Sequence, residues 1–141
     1  MRLVLDTNIV ISGLLWHGAP RKLLDLVRLQ KAEIFTCEEL LAELGRVCGY
    51  AKFYKKISAA GINIDMLQQN YSSFTKKIIV SKPVPQLCRD INDDIVLACA
   101  AKASADLIVT GDVDLLVMKQ YQNIPIIQVT EAVRRIQGTM P

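Results

Sequence analysis

The chain has one histidine, His17, and four cysteines, Cys37, Cys48, Cys88 and Cys99, with no C-x-x-C pair among them. This excludes a zinc centre built on the usual nitrogen and sulfur ligand sets, and scattered cysteines fit a reducing cytoplasm. No run of about eighteen apolar residues is free of charge, so no membrane-spanning helix is expected. The apolar segment 1–16 is interrupted by Asp6 and Asn8 and no small-residue cleavage pattern follows it. It reads as a buried strand and a helix start rather than an export signal. Neither G-x-x-x-x-G-K-S/T nor G-x-G-x-x-G occurs, which removes the support for a nucleotide-binding reading. Aromatics are sparse at 6%, and Trp16, Tyr50, Phe53 and Tyr54 read as packing residues at their spacing.

Apolar residues make up 51% of the 141 positions and charged ones 22%, enough for a substantial core in one domain spanning 1–141. The formal charge of +3 is mild, and the pI near 8.7 falls below the value of about 9 that would itself mark a nucleic-acid binder. Basic residues gather at Lys52, Lys55 and Lys56, at Lys76 and Lys77, and at Arg134 and Arg135. Taken alone, each group reads as a solvated helix face.

Short β-branched runs recur at 2–5, 33–35, 77–80, 107–109 and 125–129, separated by helical patterns at about 20–31, 37–48, 50–58, 64–76, 93–104 and 130–137. Such alternation predicts an α/β fold: a parallel five-stranded sheet between two helical layers, order 3-2-1-4-5, Rossmann-like. Ligands of these sheets bind beyond the carboxyl ends of the strands, where strand order reverses. The first strand runs into Leu5-Asp6-Thr7-Asn8, the fourth into Val109-Thr110-Gly111-Asp112-Val113-Asp114, and Asp90-Ile91-Asn92-Asp93-Asp94 opens the helix before the fourth.

Each aspartate taken singly is also a good helix N-cap: Asp6 for a helix to Leu15, Asp93 for one through Ala103, Asp112 for a turn through Val117. Together they read differently. If strands one and four are neighbours, Asp6 and Asp112 face each other and helix 93–104 delivers Asp93. Three like charges in a poorly screened site raise a pKa or require a cation. Hard ions such as Mg²⁺ and Mn²⁺ take this oxygen ligation and leave positions for phosphate and water.

Helix 37–48 offers a further acid. Its apolar stripe comprises Leu40, Leu41, Leu44, Val47 and Cys48. Glu43 falls roughly 100° from the stripe's centre, against roughly 120° for Glu38 and 140° for Glu39. Glu43 is thus nearest the buried edge, with a solvated surface position as the alternative. Thr36 and Glu39 match a capping box, which gives Glu39 a structural task. Thr7, Asn8, Ser12 and Thr110 are candidates for orienting a carboxylate from outside the ligand set, or are simply turn formers. His17, beside Gly18-Ala19-Pro20, reads as a loop residue.

These residues resemble the PIN-domain family, and within it the stand-alone bacterial and archaeal proteins of the VapC type, toxins of toxin–antitoxin systems. The resemblance covers nearly the whole chain. It rests on Leu5-Asp6-Thr7-Asn8, on 38–44 with Glu43, on Asp90-Ile91-Asn92-Asp93-Asp94 and on Val109-Thr110-Gly111-Asp112-Val113-Asp114-Leu115-Leu116. It implies a three-layer α/β/α nuclease in which Asp6, Glu43, Asp93 and Asp112 hold Mg²⁺ or Mn²⁺, with Asp114 as an auxiliary ligand. The third position departs from the family's usual D-P-D-D-N, since Ile91, Asn92 and Asp94 replace proline, aspartate and asparagine. The following helix aligns Asp93 with the metal, and Asp94 is the contender. The resemblance further implies an RNA substrate, a cognate antitoxin, and RNA-backbone contacts from Lys52, Lys55 and Lys56. The apolar faces of 20–31 and 50–76 point to a homodimer.

Two other phosphoryl-handling folds fit less well. A phosphatase of the haloacid dehalogenase type needs a second aspartate where Asn8 stands, and a receiver domain needs adjacent acids after strand one and a lysine where Gln128 stands. The rival of another class is a catalytically silent PIN-like module that binds RNA or a protein. A missing acid would favour it, and none is missing.

Overall fold

Arg2–Leu5 forms β1, whose side chains alternate between two cores. In the computed structural model, which describes residues 1–138, Leu3 and Leu5 enter one apolar cluster and Val4 the other. The last positions of the expected 1–141 unit, 139–141, lie outside the described residues. Leu107–Val109, β4, splits in the same way, Leu107 and Val109 to one side and Ile108 to the other. A sheet apolar on both faces must be covered twice, which is the reason for three layers.

In chain order, β1 is followed by α1 (Thr7–Leu15), α2 (Ala19–Arg28), β2 (Glu33–Cys37), α3 (Glu38–Cys48), α4 (Ala51–Ala59), α5 (Ile64–Ser73) and β3 (Lys76–Ile78). Then come α6 (Ile91–Ala103), β4, α7 (Val113–Leu116), β5 (Gln120–Tyr121), β6 (Ile124–Ile127) and α8 (Val129–Gly138). One cluster gathers α1, α2, α8 and the inner faces of α3, α4 and α5; the other gathers α6, α7 and Leu40. Among the described residues no helix is long and apolar enough to cross a membrane.

The sheet order is β3-β2-β1-β4-β6-β5, parallel except for the β5–β6 pair. It matches the expected parallel α/β sheet and corrects its size, six strands instead of five. The extra strand, β5, is too short to show a period-two pattern. Its hairpin turns through Gln122 and Asn123, at φ 48° and 66°, the positive values a tight two-residue connection requires. Gln-Asn is not the Asn-Gly or Asp-Gly pair that signals such a turn, so the sequence hides it.

Two local corrections follow. The capping box does not form: Cys37 is the N-cap of α3 without a side-chain bond, Thr36 is buried at the end of β2, and Glu39 pairs with Lys82 at 3.0 Å. The third strand ends at Ile78 rather than Val80, which packs into the second cluster from the loop beyond. The reversal of strand order lies between β1 and β4.

Candidate metal centre

Leu5 pairs with Val109, and the Asp6 N–H donates to the Val109 carbonyl at 3.0 Å. Two parallel strands therefore end level, and Asp6 leaves the sheet beside Thr110. The Thr110 hydroxyl donates to Asp6 Oδ2 at 2.8 Å and accepts the Asp112 N–H at 3.0 Å. Asp6 occupies the N-cap position of α1 but makes no capping bond from its side chain, which turns toward β4 instead.

Helix α6 delivers the third acid. Val96, Leu97 and Ala100 seat it on the face of the sheet that carries Val4. The N-cap is Asp90, which accepts the Asn92 N–H at 2.9 Å, so Asp93 sits in the first turn with no capping duty. One carboxylate oxygen from each of Asp6, Asp93 and Asp112 lies within 4.8 Å of the others. Asp112 also caps α7, accepting the Asp114 N–H at 2.9 Å through Oδ1. Cap and cluster are thus compatible readings of Asp112.

Burial pushes the Asp6 carboxyl above its usual range, and Asp112 adds to this against the Thr110 hydrogen bond. Asp93 is pushed up to about 8, by burial first and then by Asp112, Asp6 and Asp90. Its Oδ2 is buried with no hydrogen-bond partner. An orphaned carboxylate oxygen among like charges is costly unless protonated or bound to a cation. The donor set, carboxylate oxygens only, suits a hard divalent ion such as Mg²⁺ or Mn²⁺, which takes oxygen ligands. Among the described residues no histidine or cysteine lines the cleft.

Glu43 is buried at the inner edge of α3, where the helical angle places it, while Glu38 is exposed and Glu39 partly so. The Thr7 hydroxyl donates to Glu43 Oε1, and the Arg46 guanidinium stands 3.8 Å from Oε2. Burial again raises the carboxyl's pKa, with Asp6 and Asp90 adding and Thr7 opposing. Glu43 and the three aspartates line one cleft of about 260 Å³. A larger hollow of about 540 Å³ lies at the opposite end of the strands, and its one carboxylate, Glu33, is paired with Lys76.

A family model for the PIN domain matches residues 2–114. The chain belongs to the PIN-domain family. The match contains Asp6, Glu43, Asp93 and Asp112. The uncharacterized protein MJ1680 of Methanocaldococcus jannaschii is 30% identical over 122 residues, covering 84% of this chain and 76% of that protein. A chain in the crystal structure of VapBC2 from Rickettsia felis, bound to a DNA fragment from their promoter, superimposes with a TM-score of 0.62 at 19% identity. That alignment covers 91% of this PIN chain and 98% of the other, and the shared fold is what it establishes.

The structure brings some sequence candidates together and sets others apart. Asp114 is drawn outward into an ion pair with Arg89 at 2.8 Å and is not in the close group. Asp94 is buried but faces the preceding loop, accepting the Leu87 and Cys88 N–H groups at 2.9 and 2.8 Å. Asn8 and Lys52 line the cleft, Lys56 lies over Trp16, and Lys55 is exposed on α4. Arg46, Asp90 and Asn92 line the cleft as well, beyond the residues singled out from the sequence as ligands or their supports. Arg46 and Asp90 were findable as helical neighbours, three positions from Glu43 and Asp93 respectively.

Proposed function

We propose that the protein is a Mg²⁺- or Mn²⁺-dependent endoribonuclease in which Asp6, Asp93 and Asp112 hold the cation and Glu43 completes the catalytic quartet. The convergence of those three carboxylates, with Asp93 Oδ2 buried and unpartnered, carries this reading. A bound ion supplies positive charge against the phosphodiester and makes water more acidic. Glu43, its carboxyl raised by burial, accepts a proton from the attacking water. The water oxygen bonds to phosphorus as the ester P–O bond breaks, and the leaving sugar oxygen takes up a proton from solvent. Thr7 keeps Glu43 in place, and Arg46 and Lys52 meet the phosphate backbone at the cleft wall.

The test is cleavage of RNA by the purified chain with Mg²⁺ or Mn²⁺ against EDTA, beside Asp6→Asn. Metal-dependent cleavage that the substitution lowers at least about 100-fold is expected, on the scale of a lost ligand or ligand orienter. Equal activity in the variant overturns the mechanism.

Membership of the PIN family and the likeness to a VapBC2 chain support a physiological reading as the toxin of a toxin–antitoxin pair, acting in the cytoplasm with a small antitoxin as partner. Expression is expected to arrest growth, and co-expression of a small protein encoded beside it to relieve the arrest. Harmless expression of soluble, metal-loaded protein counts against the toxin role and leaves the nuclease chemistry standing. The chain is expected to form a homodimer. Light scattering that finds monomer at high concentration contradicts this.

A further inference from the structure

Trp16, Tyr50 and Tyr54 keep much of their surface in solvent: they are 39%, 53% and 53% exposed, and within the group only Phe53 is buried. Trp16 ends α1 and stands edge-on to Phe53 of α4, with ring centroids 5.9 Å apart at 68°. The Lys56 ammonium lies 5.4 Å from the Trp16 ring centre and Lys52 lies 4.8 Å from that of Phe53. Beside these rings is a hollow of about 400 Å³ lined by Asn8, Ser12, Trp16, Lys52 and Phe53. Asn8, Lys52 and Phe53 line the acidic cleft as well, so the two hollows are neighbours.

We infer that this extension is a base-stacking subsite for single-stranded RNA, in which Trp16 takes the face of a nucleobase next to the scissile phosphate. The inference rests on the nuclease reading and adds to it a residue that positions the strand beside the cleft. Exposed aromatic rings interleaved with lysines complement a single strand, which offers an unstacked π-face and a phosphate at every nucleotide. In a duplex the base faces are already stacked on one another and out of reach. Stacking is indifferent to base identity, so Trp16 positions the strand without selecting its sequence.

Trp16 is the only tryptophan of the chain, so its fluorescence reports the subsite directly. The Asp6→Asn protein in Mg²⁺ and the unaltered protein in EDTA are titrated with a short single-stranded oligoribonucleotide and with the same sequence as a duplex. Saturable quenching by the single strand, several-fold weaker with the duplex, is expected. In the active protein Trp16→Ala is expected to raise KM for a single-stranded substrate by about 5- to 100-fold with kcat little changed, and Trp16→Phe to restore most of it. Fluorescence blind to the single strand, or a loss confined to kcat, overturns the subsite. So does a fluorescence change that follows protein concentration without RNA, which would make this surface a contact between copies. Quenching in a protein that never cleaves RNA upholds the subsite and removes the nuclease reading; metal-dependent cleavage without quenching does the reverse.

Discussion

Thr110 donates its hydroxyl to Asp6 Oδ2 at 2.8 Å and accepts the Asp112 N–H at 3.0 Å, so one buried side chain holds two acids that lie more than a hundred positions apart in the chain. Thr110→Val keeps the shape and removes both bonds. It is expected to weaken Mn²⁺ binding and cleavage by about 10- to 100-fold, the usual cost of losing a group that orients a ligand. Thr110→Ser should recover most of the loss. Calorimetric titration with Mn²⁺ measures the affinity, and unchanged affinity in the valine variant would show that the hydroxyl is idle.

Burial and the neighbouring carboxylates push Asp93 up to about 8 from 3.8, which makes the stability of EDTA-treated protein depend on pH. Between those values the folded chain keeps a proton that the unfolded chain has released. Unfolding then releases protons, so stability falls as pH rises from about 4 to about 8. Asp93→Asn should flatten this dependence and raise Tm at pH 8 by roughly 3–8 °C, equivalent to about 1–2 kcal/mol. Mn²⁺ should raise Tm of the unaltered protein at pH 8 and leave the variant nearly unmoved. Thermal melts at pH 5 and pH 8, with and without the ion, decide it.

Asp112 and Asp114 are two residues apart, and the structure separates their surroundings. Asp114 is tied to Arg89 by a solvent-facing ion pair, of the kind that contributes little. Asp114→Asn is therefore expected to keep cleavage within about threefold, whereas Asp112→Asn loses it by at least about 100-fold. Cleavage rates for the two variants at saturating Mg²⁺ are the measurement, and comparable losses would return Asp114 to the ligand set.

How far the site could be read from sequence depended on whether a residue's place follows from local periodicity. Glu43 was separable from Glu38 and Glu39 because helix geometry sets an angle for each. Asp6 and Asp112 could be paired because an alternating α/β pattern implies neighbouring first and fourth strands. Thr110 stayed an undecided turn residue because its double hydrogen bond exists only once β1 and β4 end level. How much of Trp16 stays exposed depends on where α4 docks, which no local spacing records. The β5 hairpin was invisible because a two-residue strand has no period.

Asp93 and Asp94 are adjacent acids, both buried, and stability measurements separate their tasks. Asp94 Oδ1 accepts the N–H groups of Leu87 and Cys88, which anchors the loop leading into α6. Asp94→Ala leaves both donors without that partner and should cost about 2–3 kcal/mol. The loss should appear equally with EDTA and with Mn²⁺, since Asp94 is not among the residues that line the acidic cleft. Asp93→Ala removes an unpartnered charge instead, so it should raise Tm in EDTA at pH 8 and abolish the gain from Mn²⁺. If Asp94→Ala abolishes the Mn²⁺ response while Asp93→Ala preserves it, the third ligand is Asp94 and the register of the helix at the cleft must be redrawn.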